Sequence, residues 1–484
     1  MNAAERLLAT GADSAIALEC GDDRMSYAQL REQVRRAAGA WRALGVGAGD
    51  RVFVIAPDSI EWVVAYLGVI WAGGVAVGVN PRLPAAELAP ILEDSAPRFV
   101  WCEEPVAWPR LVRNDAHWHD AIARAGACDA LPRGDEDPAL WIGTSGTTGT
   151  PKGAIHLQRT VAHAHSFGRG VLGLCAHDRL YASSKLFFAY ALGNSLFAGL
   201  RSGATVILDR EWPTPERVEE MVTRHRPTLF FSVPTLYQNM LRAGVADRLA
   251  GRGIRHFVSA GEALPVPTRQ GWRDATGLAP ISGYGTTETL CLMLYGDDDN
   301  GLLQPTPLTE VDYADADPAM PQRVWFRHAT VAVGYWNRPE AQRDGFRQGG
   351  WFSPGDLFLR RSDGRLEYAG RNDDMLKIAG QWVSTLWVEQ SLAGACAGTL
   401  QQVAALGVTN REGLAELAVL AVAAPGTRDE AARRIAAAIE AMPRHRRPRS
   451  VHWLDALPLT ATGKLQRSRL RALHAELLAA TVPA

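Results

Sequence analysis

The chain has 484 residues, 47% of them hydrophobic and 21% charged, and its 51 lysines and arginines nearly balance 52 acidic residues. This length exceeds the usual size of one domain, so more than one hydrophobic core is expected. The composition is that of an ordinary soluble globular protein, and the balanced charge argues against a general nucleic-acid-binding protein.

The cysteines and the N-terminus indicate a cytoplasmic protein. No two cysteines have CxxC or metal-ligand spacing, which argues against a disulfide framework and a zinc site. The first residues, MNAAERLLATGADSA, lack the apolar core of a signal peptide. The six scattered cysteines, read as reduced thiols, are Cys20, Cys102, Cys128, Cys175, Cys291 and Cys396.

Helical patterns alternate with short apolar runs through about residue 300. The segment RMSYAQLREQVRRAAGAWRALG predicts a helix entered through Ser26, and RVFVIAP predicts a strand. Residues 62–79 are uncharged, but Gly73 and Gly74 interrupt them, so a buried helix, a turn and a strand are expected instead of a membrane span. Further strands are predicted at TVILD, TLFFSVP, IRHFVSAG and APISGYG.

This alternation predicts an α/β fold of mostly parallel sheets flanked by helices, with ligand-binding loops after the carboxyl ends of the strands. Residues 301–333 contain four prolines and little periodicity, which indicates an irregular or small β region. The segment DGRLEYAGR predicts a β hairpin, and the chain after residue 373 reads as a small α+β piece with alanine-rich helices.

The strongest motif is the ten-residue loop TSGTTGTPKG, which follows the apolar run ALWIG. Glycines leave backbone N–H groups free to surround an anion, hydroxyls add donors, and a lysine adds a positive charge. A Walker A loop is excluded, because Pro151 precedes the lysine and Gly153 follows it where serine or threonine is required. The predicted phosphate-binding residues are Thr144, Ser145, Gly146, Thr147, Thr148, Gly149 and Lys152.

This loop resembles the phosphate loop of the adenylate-forming superfamily, which includes acyl- and aryl-CoA synthetases, peptide-synthetase adenylation domains and luciferases. Four further segments resemble the other motifs of that superfamily, in the same order along the chain. Five motifs in sequence are far more specific than any one of them. The four segments are GYGTTE at 283–288, GWFSPGD at 350–356, YAGRNDDMLK at 368–377 and PLTATGK at 458–464.

The resemblance implies that the chain uses ATP and Mg²⁺, and the residue types suit these roles. Tyr284 offers a flat face to adenine, although filling the core is the alternative reading. Thr287 can donate to the α-phosphate, and Glu288 supplies a carboxylate oxygen for Mg²⁺. Asp356 can accept hydrogen bonds from ribose hydroxyls, with a turn aspartate as the alternative. The remaining predicted ATP-binding residues are Gly261, Glu262, Gly283, Gly285, Thr286 and Arg371.

The C-terminal motifs imply a second, mobile domain. Asp373 resembles the hinge at which that domain changes orientation, and Lys464 resembles the lysine that neutralises charge during adenylation. Gly380 and Trp382 lie in the segment that resembles the lining of a pantetheine channel. The expected domains are therefore 1–372, which includes a shortened β-rich subdomain at 301–370, and 373–484.

The segment KLFFAYALGN at 185–194 resembles benzoate–CoA ligases in particular, which implies an aromatic acid as substrate. For any one aromatic side chain, the core and the pocket are equally good readings. Benzoate ligases carry a histidine where this chain has Cys291, so a hydroxybenzoate is as plausible as benzoate. The predicted pocket residues are Phe188, Ala189, Tyr190, Gly193, Leu290 and Cys291.

The acceptor implied by the subfamily is CoA, and the phosphopantetheine thiol of an acyl carrier protein is the alternative. The basic run 444–449 could face CoA phosphates or an acidic carrier protein, and a solvated loop explains it at least as well. A fatty acyl-CoA ligase and a luciferase-like oxygenase share the motifs and rank lower. The sequence does not indicate the oligomeric state.

Overall fold

The computed structural model of the chain describes residues 1–144, 152–298, 301–313, 320–371, 375–378, 381–409, 415–458 and 465–480. The chain divides into two compact units, Met1–Asp312 with Trp325–Pro354 and Tyr313–Val324 with Gly355–Ala484. Among the described residues, no helix is long and apolar enough to cross a bilayer.

Strands make up most of the framework of both units. In chain order they are β1 Ile16–Cys20, β2 Asp23–Ser26, β3 Arg51–Ile55, β4 Val75–Gly78, β5 Phe99–Cys102, β6 Leu111–Arg113, β7 Pro138–Thr144, β8 Lys152–Leu157, β9 Arg179–Ala182, β10 Thr205–Leu208, β11 Leu229–Ser232, β12 His256–Ser259, β13 Ile281–Tyr284, β14 Leu294–Gly296, β15 Gln304–Pro305, β16 Glu310–Tyr313, β17 Gln322–Arg327, β18 Gly334–Tyr335, β19 Phe346–Arg347, β20 Trp351–Phe352, β21 Asp356–Arg360, β22 Leu366–Arg371, β23 Met375–Ile378, β24 Gln381–Ser384, β25 Leu400–Thr409, β26 Ala415–Ala423 and β27 Ser450–Trp453.

Helices connect most of these strands. In chain order they are α1 Ala3–Leu8, α2 Tyr27–Ala43, α3 Ile60–Trp71, α4 Ala85–Ser95, α5 Ala116–Arg124, α6 Ser166–Gly170, α7 Ala189–Ala191, α8 Ala198–Ser202, α9 Pro215–His225, α10 Pro234–Arg242, α11 Val245–Leu249, α12 Val266–Thr276, α13 Pro339–Gly345, α14 Thr385–Ala395, α15 Arg428–Ala441 and α16 Arg467–Ala480, with 3-10 turns at Thr160–His163 and Arg444–Arg446 and a π-helical turn at Leu192–Phe197.

Two sheets of the larger unit are parallel at their centres. The nine-stranded sheet has the order β15-β14-β13-β12-β11-β9-β10-β1-β2, and its pairs from β13 to β1 are parallel. The seven-stranded sheet has the order β18-β8-β7-β4-β3-β5-β6, and its pairs from β7 to β6 are parallel. This arrangement confirms the α/β fold class predicted from the alternation of helical and apolar segments.

Local sequence signals explain how the first helices form. Ser26 caps α2, and its side chain and that of Gln29 form a reciprocal capping box, as expected for a helix entered through this serine. Residues 62–79 form most of α3, a turn and β4, and every residue of α3 except Glu61 is buried. The uncharged stretch is therefore a core helix and strand, as predicted.

The smaller unit consists of short sheets with helices packed on them. Strand β21 pairs with β22, β23 pairs with β24, and β25, β26 and β27 form a three-stranded sheet. Its core contains Val388, Leu392, Val419 and Ile435 from α14, β26 and α15. Ser384 Oγ donates to the carbonyl oxygen of Ala369 at 2.8 Å, so residues before 373 pack with residues after it. The domain boundary at residue 373 stays a prediction.

A buried carboxylate joins two strands of the nine-stranded sheet to helix α9. Glu19 of β1 is 2% exposed and accepts a hydrogen bond from Arg179 at 2.6 Å, and its Oε2 lies 3.1 Å from Nδ1 of His225. Burial alone would raise the pKa of Glu19, but the hydrogen bonds from His225 and Arg179 and the charges of Arg179 and Arg24 lower it to about 2. The charged form of Glu19 therefore stabilises the fold.

This carboxylate makes the stability of the protein depend on acid pH. A carboxyl group whose pKa is lowered from 4.5 stabilises the native state above that value and loses the effect as pH falls toward about 2. We expect the thermal midpoint of Glu19→Gln to lie well below that of the wild type at pH 7, reflecting up to about 3 kcal/mol, and the gap to narrow at pH 3. Glu32→Gln, at a half-exposed pair with Arg36, is the control and should change little. If the two thermal midpoints differed by the same amount at pH 3 and at pH 7, the stabilising role of the Glu19 charge would be contradicted.

Candidate active site

The predicted phosphate loop joins two antiparallel strands. Thr144 ends β7 and faces Lys152, the first residue of β8, in the register of the hairpin. A Walker A loop instead connects a strand to a helix, so this topology agrees with the exclusion made from Pro151 and Gly153. The other predicted phosphate-binding residues lie outside the described residues; they are Ser145, Gly146, Thr147, Thr148 and Gly149.

The second nucleotide motif begins where β13 ends and turns tightly. The Thr289 hydroxyl accepts from the Thr286 amide at 2.9 Å and lies 2.9 Å from the carbonyl oxygen of Cys291. A Cβ atom at Gly285 would lie 2.7 Å from that same carbonyl oxygen, so only glycine allows this close approach. Thr287 and Glu288 are half-buried at the carboxyl edge of the sheet, where ligands bind in folds of this type.

Gly283 and Tyr284 are the first two residues of this motif and the last two residues of β13. The Tyr284 ring is half-buried, and its centroid lies 5.8 Å from that of Phe326. Leu292 packs where a side chain at Gly283 would stand. Stacking of adenine on Tyr284 stays a prediction.

Tyr335 connects the phosphate loop to Glu288. Its hydroxyl donates to Oε1 of Glu288 at 2.6 Å, and the ammonium group of Lys152 lies 5.4 Å from the centroid of its ring. Strand β18 brings Tyr335 to this place by pairing with β8, with Tyr335 opposite Ala154. Two predicted site residues therefore meet the same tyrosine: Lys152 lies over its ring, and Glu288 accepts from its hydroxyl.

His156 fixes the backbone beside Glu288. It is fully buried on β8, with Nε2 3.0 Å from the carbonyl oxygen of Thr287 and Nδ1 3.2 Å from that of Thr330. Burial lowers the pKa of His156 to about 4, although both carbonyls raise it. A neutral imidazole donates through only one nitrogen, so His156 bonds one of these two carbonyls at a time. The Ala332 amide adds a hydrogen bond to the Glu288 carbonyl oxygen at 2.7 Å.

The predicted acid pocket lies after β9, at the same sheet edge as the nucleotide motif. Phe188 and Tyr190 are half-buried, and Ala189 between them is buried. The Tyr190 hydroxyl donates to the carbonyl oxygen of Val258 at 3.0 Å, and its ring packs edge-on against Phe231. Tyr190 is thus anchored in the core, and the partly exposed ring of Phe188 is the better candidate for contact with a ligand.

A second wall of this region is formed by Leu290 and Cys291, which pack against the turn at Gly193. A Cβ atom at Gly193 would lie 2.6 Å from the Leu290 carbonyl oxygen, and Leu290 has a left-handed backbone with φ of 59°. The Cys291 thiol is buried and lies 3.5 Å from the carbonyl oxygen of Ala164. Burial raises the pKa of Cys291 to about 12, so this thiol stays neutral and acts as an apolar surface.

Gly261 and Glu262 follow β12, again at the carboxyl edge. Gly261 has φ of 92° and is exposed, and Glu262 accepts a hydrogen bond from the hydroxyl of Thr235 at 3.1 Å. The strand ends of β9, β12 and β13 thus bring three of the predicted segments to one edge of one sheet.

The smaller unit carries the predicted ribose residues as a pair. Asp356 and Arg371 face each other in the β21–β22 register, and Arg371 Nε lies 3.4 Å from Oδ1 of Asp356, which is 6% exposed. Trp382 lies on β24 opposite Lys377. The predicted hinge residue Asp373, the channel residue Gly380 and the lysine Lys464 lie outside the described residues.

Two residues of this site, Tyr335 and His156, are absent from the sequence predictions. Both are brought to Thr287 and Glu288 by contacts between residues more than 45 positions apart. The signal that could have identified Tyr335 is the fragment GYWNRP, in which a glycine and a tyrosine precede a turn. His156 has no such signal, because a histidine on an apolar strand is usually a core residue.

Comparison with known proteins matches residues 7–336 to the family model described as AMP-binding enzyme. A 3-hydroxybenzoate–CoA ligase of Aromatoleum sp. (strain CIB) is 38% identical, with 98% of this chain and 97% of the relative covered. A 3-hydroxybenzoate–CoA/4-hydroxybenzoate–CoA ligase of Thauera aromatica is 37% identical, with 97% of each covered.

Among solved structures, an anthranilate CoA ligase in complex with anthranoyl-AMP superimposes with a TM-score of 0.91 at 30% identity, covering 98% of this chain and 97% of that one. These matches confirm the resemblance drawn from the five motifs. The chain belongs to the AMP-binding enzyme family, the adenylate-forming ligases.

Proposed function

We propose that the protein activates an aromatic carboxylic acid of the hydroxybenzoate or benzoate type with ATP and transfers it to the thiol of CoA. The observation that carries the proposal is the full-length similarity to two hydroxybenzoate–CoA ligases. Two arrangements support it: Phe188 and Glu288 follow strands that end at the same edge of the nine-stranded sheet, and Lys152 and Glu288 both contact Tyr335.

The first half-reaction joins two anions. A carboxylate oxygen of the acid attacks the α-phosphorus of ATP, the bond to the β-phosphate oxygen breaks, and pyrophosphate leaves with the electron pair. The product is an acyl-adenylate, a mixed anhydride with a good leaving group. The barrier is dominated by charge repulsion and alignment, so the site must neutralise phosphate charge and hold both substrates in place.

We assign a part in this step to four residues of the site. Lys152 supplies a positive charge for the phosphates at the end of the hairpin, and Thr287 donates to the α-phosphate. His156 and the amide of Ala332 hold the backbone of Thr287 and Glu288 in register. Because these contacts are present without ATP, the motif is preorganised before ATP binds.

Glu288 fits a magnesium site. Its carboxylate is half-buried, its oxygens are the hard ligands that Mg²⁺ prefers, and Tyr335 occupies only Oε1 as a hydrogen-bond donor. Glu288 would hold the ion together with ATP phosphates and water. A bound Mg²⁺ supplies neutralisation of the negative charge on the triphosphate.

In the second half-reaction the thiol sulfur attacks the acyl carbon and AMP leaves, which forms the thioester. CoA is the proposed acceptor, and the phosphopantetheine of an acyl carrier protein is the alternative. Arg444 and Arg449 are exposed on the smaller unit and could meet the phosphates of either acceptor, whereas Arg447 is paired with Glu440 and Arg446 stacks on Trp387.

Pyrophosphate release with a panel of acids tests the proposal. The panel contains benzoate, the three hydroxybenzoates and a series of fatty acids, each with no acceptor, with CoA, or with a phosphopantetheine-bearing carrier protein. We expect multiple turnovers with a benzoate or hydroxybenzoate and CoA. Turnover with the carrier protein alone would assign the alternative acceptor, and turnover with fatty acids alone would refute the proposed substrate class.

A further inference from the structure

A cluster of buried charges lies directly before the aromatic segment of the pocket. Asp58 and Lys185 are each 4% exposed. Both carboxylate oxygens of Asp58 lie 3.1 Å from the amide nitrogen of Leu186, which donates to them. The Lys185 ammonium donates to the carbonyl oxygen of Asp209 at 2.6 Å and to that of Glu211. Two consecutive residues are thus held by hydrogen bonds: Lys185 through its side chain and Leu186 through its backbone amide.

These contacts join parts of two different sheets. Asp58 follows β3 of the seven-stranded sheet, whereas Lys185 follows β9 and Asp209 follows β10 of the nine-stranded sheet. The backbone of Phe187 also approaches β4, since a Cβ atom at Gly78 would lie 3.2 Å from its Cα. The start of the aromatic segment therefore lies in the seam between the two sheets, fixed from both.

The choice of lysine at this position is informative. The chain contains 51 lysines and arginines, but only four are lysines: Lys152, Lys185, Lys377 and Lys464. The other three lie in the nucleotide, hinge and C-terminal motifs. A buried pocket that offers two carbonyl oxygens suits a compact ammonium group, whereas a planar guanidinium needs more space and more acceptors. Position 185 thus departs from the arginine used at most cationic positions of this chain.

The energetics make this cluster costly to disturb. Burial raises the pKa of Asp58 to about 7, although the charge of Lys185 and the Leu186 amide lower it, and burial likewise lowers the pKa of Lys185. The negative charge of Asp209, the other nearby acid, is balanced by Arg217, whose guanidinium donates to both carboxylate oxygens. Asp58 and Lys185 each favour the charged form of the other, so removing one leaves the other buried charge less compensated.

We propose that Asp58 and Lys185 are positioning residues that hold segment 186–190 as the fixed wall of the acid-binding pocket. The proposal rests on the proposed function, because it takes this segment as the place where the aromatic acid binds. Neither residue touches the reacting atoms. Their effect is on the KM for the acid, through the placement of Phe188 and Ala189.

Asp58→Ala tests the inference, with Asp58→Asn as the conservative variant and Asp178→Ala as the matched control. Asp178 is another 4% exposed carboxylate, which precedes β9 of the nine-stranded sheet and is paired with Arg255. We expect Asp58→Ala to raise the KM for the acid at least about tenfold with the KM for ATP unchanged. Asp58→Asn, which keeps an acceptor for the Leu186 amide, should recover part of that loss. Asp178→Ala should lower stability without changing the KM for the acid.

Hydrogen–deuterium exchange separates this inference from the proposed function, because it requires no turnover. The peptide spanning residues 186–190 should exchange faster in Asp58→Ala than in the wild type or in Asp178→Ala. If Asp58→Ala does not fold, the neutral double variant Asp58→Asn with Lys185→Met takes its place. The same rise in the KM for the acid and the same faster exchange are expected of it. Unchanged exchange and unchanged KM would refute the positioning role, whereas faster exchange in a chain that activates no aromatic acid would refute only the proposed function.

Discussion

Glu288→Gln is expected to slow adenylate formation by about 10²–10³-fold while leaving the fold intact. Glutamine has the shape of glutamate and can still accept the hydrogen bond from Tyr335, which lies 2.6 Å from Oε1 in the wild type. It lacks the negative charge that a site for Mg²⁺ requires. The rate is measured as ATP–pyrophosphate exchange over a range of Mg²⁺ concentrations, and binding of Mn²⁺ with ATP is followed by electron paramagnetic resonance.

Tyr335→Phe is the matched control for this experiment. It keeps the Glu288 charge and the ring beside Lys152 but removes the hydroxyl donor, so we expect a modest rise in the Mg²⁺ concentration needed for half-maximal rate and a nearly normal maximum. Equal and severe losses in both variants would mean that the hydrogen bond, and not the carboxylate charge, is what the motif requires. A normal rate in Glu288→Gln would remove Glu288 from the active site.

The sequence predicts the framework of this protein well, because its elements carry strong local signals. Ser26 with Gln29 marks the start of α2, and the uncharged residues 62–79 resolve into α3 and β4 through Gly73 and Gly74. Motif order alone predicts the family. The phosphate loop and the turn at Glu288 follow strand ends, so their presence at a sheet edge follows from the parallel arrangement.

The sequence does not predict the residues that hold the site together. Tyr335 approaches Glu288 only because β18 adds to β8, and His156 approaches Thr287 only because two sheets meet there. Asp58 and the Leu186 amide are 128 positions apart. Contacts of this kind depend on tertiary packing, for which a single sequence carries no periodic signal. Motifs thus identify the groups that meet the substrate, whereas the structure identifies the groups that position them.

Lys464→Ala is expected to abolish adenylate formation and to leave thiol attack on supplied acyl-adenylate largely intact. The first half-reaction brings a carboxylate to a triphosphate, so the loss of one positive charge at the α-phosphate raises its barrier by several kcal/mol. The second half-reaction joins a thiol to an already activated carbonyl and expels AMP, so it depends far less on that charge. Lys464 lies outside the described residues, and its role is proposed from the motif PLTATGK.

The two half-reactions are measured separately, as pyrophosphate exchange and as thioester formation from synthetic aryl-adenylate and CoA. Arg469→Ala is the control, because it removes an exposed positive charge from α16, the helix that follows the motif. That variant should keep both rates near the wild-type values. Equal loss of the two half-reactions in Lys464→Ala would contradict a role confined to adenylation, because a residue needed only to bring two anions together has no reason to affect the attack of a thiol on their product.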